Sequence, residues 1–497
     1  MCIFGSRKFK EKGCLGAGAR KQCDLRSISG VYRMKWGNFC WVVVVCGVLS
    51  VCFGEFQVNT YRSEDQKDAG IAMDGAGNFV VVWGSYRQDR SSGGIYGQRF
   101  STAGYKTGEE FQVNTTTEGN QKTPAVAMND GGDFVVVWQG PGVSEEDIFA
   151  QLFSAAGEPL GQELCVSGFT ESRQLCPSVA MSDDGRFVVV WESERLGAKP
   201  YAKVIAARMY DSSGAAAGAE FVVSLLVDGR YPDVTCDGTG NFIVVWMQER
   251  SSNKILARIY NSNGSARTDP FEVSTEAFAS VTRPSVAADM SGHFVVAWDA
   301  SSESAATDDI YARCYKFDGS AKTEPFVVNT TADGAQQYPT VAMNNRREFL
   351  IVWNSEIAAD PDDRDIFAQR FDSLGAALGG EFRVNTYLTG DQRYAAGRLR
   401  EDGGFAVVWQ SFEQDGSLYG IFGDVWPKDA CGDFTHDGSV NFRDYSVFAA
   451  EWGENGDSLQ ADLVDDDLVN GRDLAVFCSR WLGPAGECGD AAAGGAR

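Results

Sequence analysis

The sequence predicts an all-β fold: a seven-bladed β-propeller of four-stranded blades over residues 55–427, its ring closed by the N-terminal strand. Three observations predict it. Seven tryptophans (Trp83, Trp138, Trp191, Trp246, Trp298, Trp353 and Trp409) are separated by 55, 53, 55, 52, 55 and 56 residues, a period that marks a repeat architecture. Each ends a run such as FVVVW, apolar on both faces of a strand, so both faces need cover, as they have when blades pack around an axis. Finally, the first of seven VNT-type segments (Glu55 to Thr60) precedes the first FVVVW, while the last unit stops after IFGDVW without one. An outermost strand supplied by the N-terminus would then complete the last blade and leave no open sheet edge.

Within each unit the register holds from residue to residue. Phe stands four residues before every Trp (Phe79, Phe134, Phe187, Phe242, Phe294, Phe349, Phe405), and Gly stands six before it in six copies, with Arg347 in the other. Pro stands fourteen before it in five copies (Pro124, Pro177, Pro232, Pro284, Pro339), and five units carry a Gln three residues earlier still (Gln66, Gln121, Gln174, Gln336, Gln392). The VAM-type run and FVVVW, joined by a Gly-containing turn, read as a hairpin. A polar loop follows, then a third strand of the IYGQRF or IFAQRF type, a Gly or Ser turn, and the VNT-type strand. The expected order is VAM innermost, then FVVVW, then IxAQRF, then VNT, in blades of ordinary propeller size. A sandwich or solenoid with a coincidental period is the competing architecture. The repeat region resembles bacterial secreted seven-bladed β-propeller repeat proteins.

The formal charge is −24, although residues 1–54 hold nine Lys/Arg against two Asp/Glu. So acidic a surface excludes nucleic acid as a partner, which needs a cationic footprint. It suits calcium, cationic partners or solubility outside the cell. Residues 34–54 read as a signal peptide, with Lys35 as the positive start, Phe39–Val51 as the apolar stretch and cleavage near Gly54. That run is too short for a permanent membrane span, and a bulky Val51 argues against lipoprotein attachment at Cys52. Residues 1–33 read as a non-native N-terminal extension from an upstream start. Seven cysteines follow residue 54. Cys236 takes the place of Met73, Met128 and Met181, as core filling, while Cys165 with Cys176 and Cys431 with Cys488 are candidate disulfides of an oxidising compartment.

After Pro427 the period changes. Residues 433–444 read DFTHDGSVNFRD, and residues 462–473 read DLVDDDLVNGRD. Each precedes a helical run in which Tyr445, Phe448 and Trp452, or Leu474, Phe477 and Trp481, share one face. A duplicated acidic loop before a helix is a calcium signature, because calcium takes six to eight oxygens from alternate loop positions around a Gly turn. Residues 431–483 resemble a type I dockerin, a pair of half EF-hands that binds calcium and plugs into cohesin modules. The resemblance implies Asp433, Thr435, Asp437, the Ser439 carbonyl, Asn441 and Asp444 as ligands in the first loop, with Gly438 at its turn. It implies Asp462, Asp466, the Leu468 carbonyl, Asn470 and Asp473 in the second, where Val464 offers no side-chain oxygen and Asp467 replaces the turn Gly. Dockerins carry a Ser/Thr pair that reads the cohesin, and Phe442–Arg443 and Gly471–Arg472 stand there instead. Residues 428–483 are thus expected to form a small α-helical dockerin-like domain with a cohesin-like partner, and residues 484–497 a disordered tail. A calcium-stabilised plug without a partner is the alternative.

Chemistry in the propeller has few candidates. The two histidines, His293 in a hairpin turn and His436 in the calcium loop, make neither a Ser-His-Asp triad nor a His-rich metal site. Glycosidases need only paired carboxylates. The face carrying the loops after FVVVW and the Gln-x-x-Pro loops holds Glu145, Glu146, Asp147, Asp308, Asp309, Glu356, Asp360, Asp362, Asp363 and Asp365. Turn formers or loose cation sites are the plainer roles for these. The D-x-G-x-F hairpins are loosely similar to sialidase Asp-boxes, with different spacing. Two readings follow: a secreted scaffold whose propeller binds a glycan or protein, or a polysaccharide-degrading hydrolase or lyase. Even repeat lengths favour binding, since an active site needs one blade to break the pattern.

Overall fold

The computed structural model describes residues 55–426, apart from residues 144, 170, 195–202, 225–227, 250–252, 276–277, 303–306, 332–333 and 358–359, and also residues 26–28, 31–35 and 41–45. Residues 1–51 and 52–497 are separate units. In the first, strands Arg26–Ile28, Val31–Lys35 and Trp41–Val45 pair in that order as an antiparallel sheet. Residues 427–497, and with them every predicted calcium ligand, lie outside the described residues.

The second unit is the predicted ring of seven four-stranded antiparallel sheets. Blade 1 runs outwards through Gln66–Met73, Phe79–Tyr86, Gly93–Phe100 and Lys106–Gln112. Blades 2 to 6 repeat that order. Blade 7 adds the N-terminal strand to Gln392–Leu399, Phe405–Phe412 and Tyr419–Trp426, with Phe56 opposite Gly423 and Gln57 opposite Phe422. The innermost strands of all seven blades line one axial channel of about 610 Å³.

Packing explains the invariant aromatics. All seven tryptophans are at most 1 % exposed, each within a core shared by two neighbouring blades; the last such core joins blade 7 to blade 1. Every Phe four residues upstream stacks on the aromatic that ends the third strand, from Phe79 on Phe100 at 4.9 Å to Phe405 on Trp426 at 4.9 Å. Offset stacking of this kind adds about 1 kcal/mol to the area buried. The Gln of the Gln-x-x-Pro segment also has a job: Gln174 and Gln336 each accept the indole N–H of their own blade's Trp at 2.9 Å. The hairpin glycines lie at positive φ, and Arg347, which replaces one of them, is held at +65°. The strain of that left-handed backbone is met by Arg347 Nε on Asp289 at 2.9 Å.

The VNT motif works differently from a simple outer strand. The outer ladder ends just before it, and the Val amide then bonds the third strand while the next side chain turns back. Asn114, Ser167, Ser224, Ser274, Asn329, Asn385 and Asn59 each accept the amide of the Ile that opens the third strand, at 2.7–3.2 Å. The motif is a side-chain clamp on the outer edge of the blade.

The cysteines correct one expectation. Cys165 and Cys176 are free thiols, because Cys165 ends an outermost strand whereas Cys176 lies on an innermost strand lining the channel. Cys236 does fill the Met position, its thiol donating to the Met181 carbonyl at 3.1 Å. Cys431 and Cys488 lie outside the described residues.

Candidate functional site

Register places the Gln-x-x-Pro segments and the loops after FVVVW at one mouth of the channel, as with Gln66 opposite Ser85 in blade 1. Just inside this mouth, every innermost strand carries a bulge. Asp68, Thr123, Cys176, Tyr231, Arg283, Tyr338 and Tyr394, each fifteen residues before its Trp, all have φ between 48° and 59°. Positive φ is uncommon in a non-Gly residue, and it is a genuine outlier for β-branched Thr. Seven such outliers in one ring are over-determined by the blades around them, and bulges characteristically re-aim a side chain. Six of the seven, all but Asp68, line the channel.

The residue after each Trp of the preceding blade holds several bulges in place. Gln410 accepts the Asp68 amide at 3.2 Å, Glu192 the Tyr231 amide at 2.8 Å and Asn354 the Tyr394 amide at 3.1 Å. Asp299 accepts the Tyr338 amide. Burial pushes the Asp299 carboxyl up to about 8, against the pull of Arg283. Burial likewise raises Asp68, against Lys67 and the Thr123 amide. Glu192 is neutralised by Lys203 at 2.6 Å. The Cys176 thiol is pushed up to about 12, first by burial and then by Glu192, so it is not a nucleophile at neutral pH.

Four consecutive positions of the ring form a cationic and aromatic arc. The Arg283 guanidinium lies 3.7 Å from the ring centroid of Tyr338 and 5.0 Å from that of Tyr231. Tyr338 meets Tyr394 edge to face at 4.7 Å. Beside it, Arg393 pairs with Asp391 at 2.9 Å and lies over the Tyr419 ring. Deeper in the channel, small side chains keep the axis open and two charged groups enter it. Asp233 accepts Ser178 Oγ at 2.8 Å and the Val286 amide at 2.9 Å, bridging blades 3, 4 and 5. Arg398 donates to the Gly397 carbonyl at 2.8 Å, and burial lowers its pKa against the attraction of Asp233.

The carboxylates singled out from sequence serve the blades. Glu146 binds Lys122 at 2.6 Å and Arg173 at 2.8 Å, and Glu145 lies 3.9 Å from Arg173. Asp147, Asp309 and Asp365 each precede the Ile of a third strand and hold the clamp residue: Ser167 at 3.0 Å, Asn329 at 2.8 Å and Asn385 at 2.7 Å. Asp308 accepts Gln337 Nε2 at 2.6 Å, and Glu356 pairs with Arg364 at 3.1 Å. Asp363 lies on the third strand of blade 6, as do Asp360 and Asp362, whose side chains are outside the described set.

His293 Nδ1 lies 2.9 Å from Ser291 Oγ and 3.5 Å from Asp289, within its own hairpin. The Asp of its hairpin accepts the amides of Ser291 and His293, and Asp74 and Asp237 do the same in theirs. The acidic hairpins are therefore turn caps. Among the described residues, no group of three or more His, Cys, Asp or Glu side chains is placed to hold a metal, and no helix is long and apolar enough to cross a membrane.

Sequence reasoning missed both the bulge ring and the residues after the tryptophans. The signal was available as divergence at a fixed register position. Fifteen residues before Trp the chain reads Asp, Thr, Cys, Tyr, Arg, Tyr, Tyr, followed by Pro in five copies and Ala in two.

No family model matches the chain, and no curated protein matches it. Among solved structures it is similar to a protein of unknown function from Dyadobacter fermentans, at 10 % identity over 65 % of this chain and 99 % of that one, with a TM-score of 0.43. It is similar to the β-propeller domain of the trilobed protease from Pyrococcus furiosus, at 10 % identity over 72 % and 94 %, with a TM-score of 0.42. It is also similar to an α-L-arabinanase from Penicillium chrysogenum, at 13 % identity over 61 % and 92 %, with a TM-score of 0.41.

Proposed function

We propose that the chain is a non-catalytic extracellular binding scaffold. Its propeller takes a glycan or protein ligand at the bulge-lined mouth. Its residues 428–483 form a dockerin-like calcium module that docks it to a cohesin-like partner or a cell-surface assembly. The observation that carries the reading is the bulge ring. It is the place where otherwise uniform blades present different side chains to a common opening, while the described carboxylates of that face are tied into pairs and clamps. Aromatic and polar side chains converging on a preformed concavity are what a ligand site needs. Full-length protein should be retained by a polysaccharide affinity gel and lose that retention on Tyr338→Ala, with no release of reducing ends. Reducing-end release that disappears on Asp299→Asn would replace this reading with the hydrolase.

That second reading has its own support in Asp299. A carboxyl raised to about 8 by burial has the pKa of a general acid, but at 1 % exposed and off the channel lining Asp299 would have to be uncovered to reach a substrate. A lyase would instead produce an unsaturated product absorbing in the ultraviolet. The calcium module is tested by titrating calcium into the calcium-free full-length chain. At least one site is expected from Asp433, Thr435, Asp437, Ser439, Asn441 and Asp444, weakened about tenfold or more by Asp437→Ala, as loss of a charged ligand implies. A flat titration would remove calcium from the proposal.

A further inference from the structure

Arg283 is unusual among the cations at this mouth. Lys67 pairs with Asp65 at 2.8 Å, Lys122 with Glu146 at 2.6 Å, Lys203 with Glu192 at 2.6 Å, Arg364 with Glu356 at 3.1 Å and Arg393 with Asp391 at 2.9 Å. Among the described residues Arg283 has no ion pair and no side-chain hydrogen bond; its contacts are the rings of Tyr338 and Tyr231. Its nearby carboxyl, Asp299, is mostly neutral at pH 7 because burial holds it up to about 8. A chain of net charge −24 thus keeps an uncompensated guanidinium among the residues that line its channel. Farther in, Arg398 uses one guanidinium N–H on a carbonyl and is attracted by Asp233.

The ring contacts leave this group free to bind through its N–H donors. A guanidinium is planar, and its donors lie in the plane as a fork that matches a carboxylate with two parallel bonds. With its contacts made to the Tyr338 and Tyr231 rings, Arg283 keeps its N–H donors free of protein partners among the described residues, and the side chain lines the channel. The rings also fix its orientation, so little side-chain entropy remains to be lost on binding. Tyr394, edge-on to Tyr338, extends the aromatic wall beside the fork, and a sugar ring presents C–H groups to such a wall while its substituents stay polar.

We infer that Arg283, held between Tyr231 and Tyr338, seats a carboxylate, and that the ligand of the mouth is an acidic saccharide bearing uronic acid units. This rests on the glycan form of the proposed function and narrows it. The negative surface around the mouth then acts as a filter, since an acidic polymer gains at Arg283 and is repelled elsewhere. One or two of its carboxylates engage, and a highly charged polymer does not coat the surface.

The test titrates full-length protein with tri-galacturonate and, separately, with neutral galactotriose by calorimetry. Wild type, Arg283→Gln and Arg283→Lys are compared, with thermal unfolding confirming that the variants fold. The acidic trisaccharide should bind at least tenfold more tightly than the neutral one. Arg283→Gln should abolish that preference, Arg283→Lys should recover only part of it, and added salt should weaken it. If both trisaccharides bind equally, or Arg283→Gln leaves the preference intact, the carboxylate seat is overturned while the mouth survives as a glycan site. If neither binds to wild type, the seat and the glycan form of the proposed function fall together.

Discussion

Removing residues 55–60 is expected to lower the thermal midpoint by about 10 °C or more and to make the protein self-associate. The segment joins the first blade to the last. Val58 is fully buried and its amide bonds the Ile421 carbonyl at 2.8 Å. Asn59 accepts the Ile421 amide at 2.8 Å and donates to Gln66 of blade 1 at 3.1 Å. Glu55 receives the Thr386 amide at 2.9 Å and Gln414 Nε2 at 2.6 Å, and Gln57 donates to Asp415 at 2.7 Å. Burial of one Val contributes roughly 2 kcal/mol, and each hydrogen bond about 1 kcal/mol net. Val58 with the three bonds of Val58 and Asn59 sums to about 5 kcal/mol, the more exposed bonds of Glu55 and Gln57 adding less, and in a domain of this size 1 kcal/mol moves the midpoint by about 2 °C. The deletion also bares the strand Tyr419–Trp426 as an open edge able to pair with another chain. An interior control separates the two effects. Asn329→Ala removes the same clamp in blade 5 and should cost about 1–3 kcal/mol for the stranded Ile310 amide, without association. Thermal unfolding and size-exclusion chromatography read both outcomes. A deletion that melts like wild type would mean the ring is not closed by this strand.

The closure, the blade count and the strand order were legible because they rest on apolar side chains, whose burial imposes a period on the sequence. Trp, the Phe four residues before it, and the turn Gly each answer one steric demand, so one residue type fits in nearly every copy. Arg347 shows the limit of that rule, since a non-Gly residue occupies the same left-handed turn with an ion pair beside it. The variable position of the bulge could be read, but its backbone could not, for the opposite reason. In four blades its left-handed backbone is held by an acceptor on the neighbouring blade, such as Glu192 for Tyr231 and Asn354 for Tyr394, and it leaves no glycine signature in its own strand.

The candidate carboxylates illustrate a second limit. Asp147, Asp309 and Asp365 stand out in sequence as acidic residues in polar loops. The third strand instead places each against a clamp side chain about twenty residues later, at Ser167, Asn329 and Asn385. Where Gly94 or Gly420 precedes the Ile instead, no such pair forms although the clamp residue is still Asn114 or Asn59, so the two positions do not vary together and gave no cue. Composition alone could not separate a structural carboxylate from one that faces a ligand. What separates them is whether a donor within the blade already occupies it.

Asp299 should make the propeller lose stability as pH rises, and Asp299→Asn should return it. Burial holds the carboxyl up to about 8, and Asp424, on the third strand of blade 7, is held up to about 8 for the same reason. An unfolded Asp titrates near 3.9. Between roughly pH 4 and pH 8 the folded state therefore binds more protons than the unfolded state, and the unfolding free energy falls with pH. The stabilisation is complete below the unfolded pKa, is lost as pH rises through about 8, and changes little above it. At pH 8.5 each Asn variant should gain on the order of 2 kcal/mol, well below the full linkage value of 1.36 kcal/mol per pKa unit, because the amide brings its own unpaired donor into a buried site. At pH 4 neither variant should gain. The two sites lie in different blades, so the gains should add. Urea unfolding at pH 4, 7 and 8.5 checks this, and equal stability of wild type and double variant at pH 8.5 would contradict it. Asp299→Asn also separates stability from ligand binding. It leaves Arg283 uncompensated at alkaline pH, where the wild-type carboxylate would begin to neutralise it. Acidic-saccharide affinity should therefore fall between pH 7 and pH 9 in wild type and hold level in the variant.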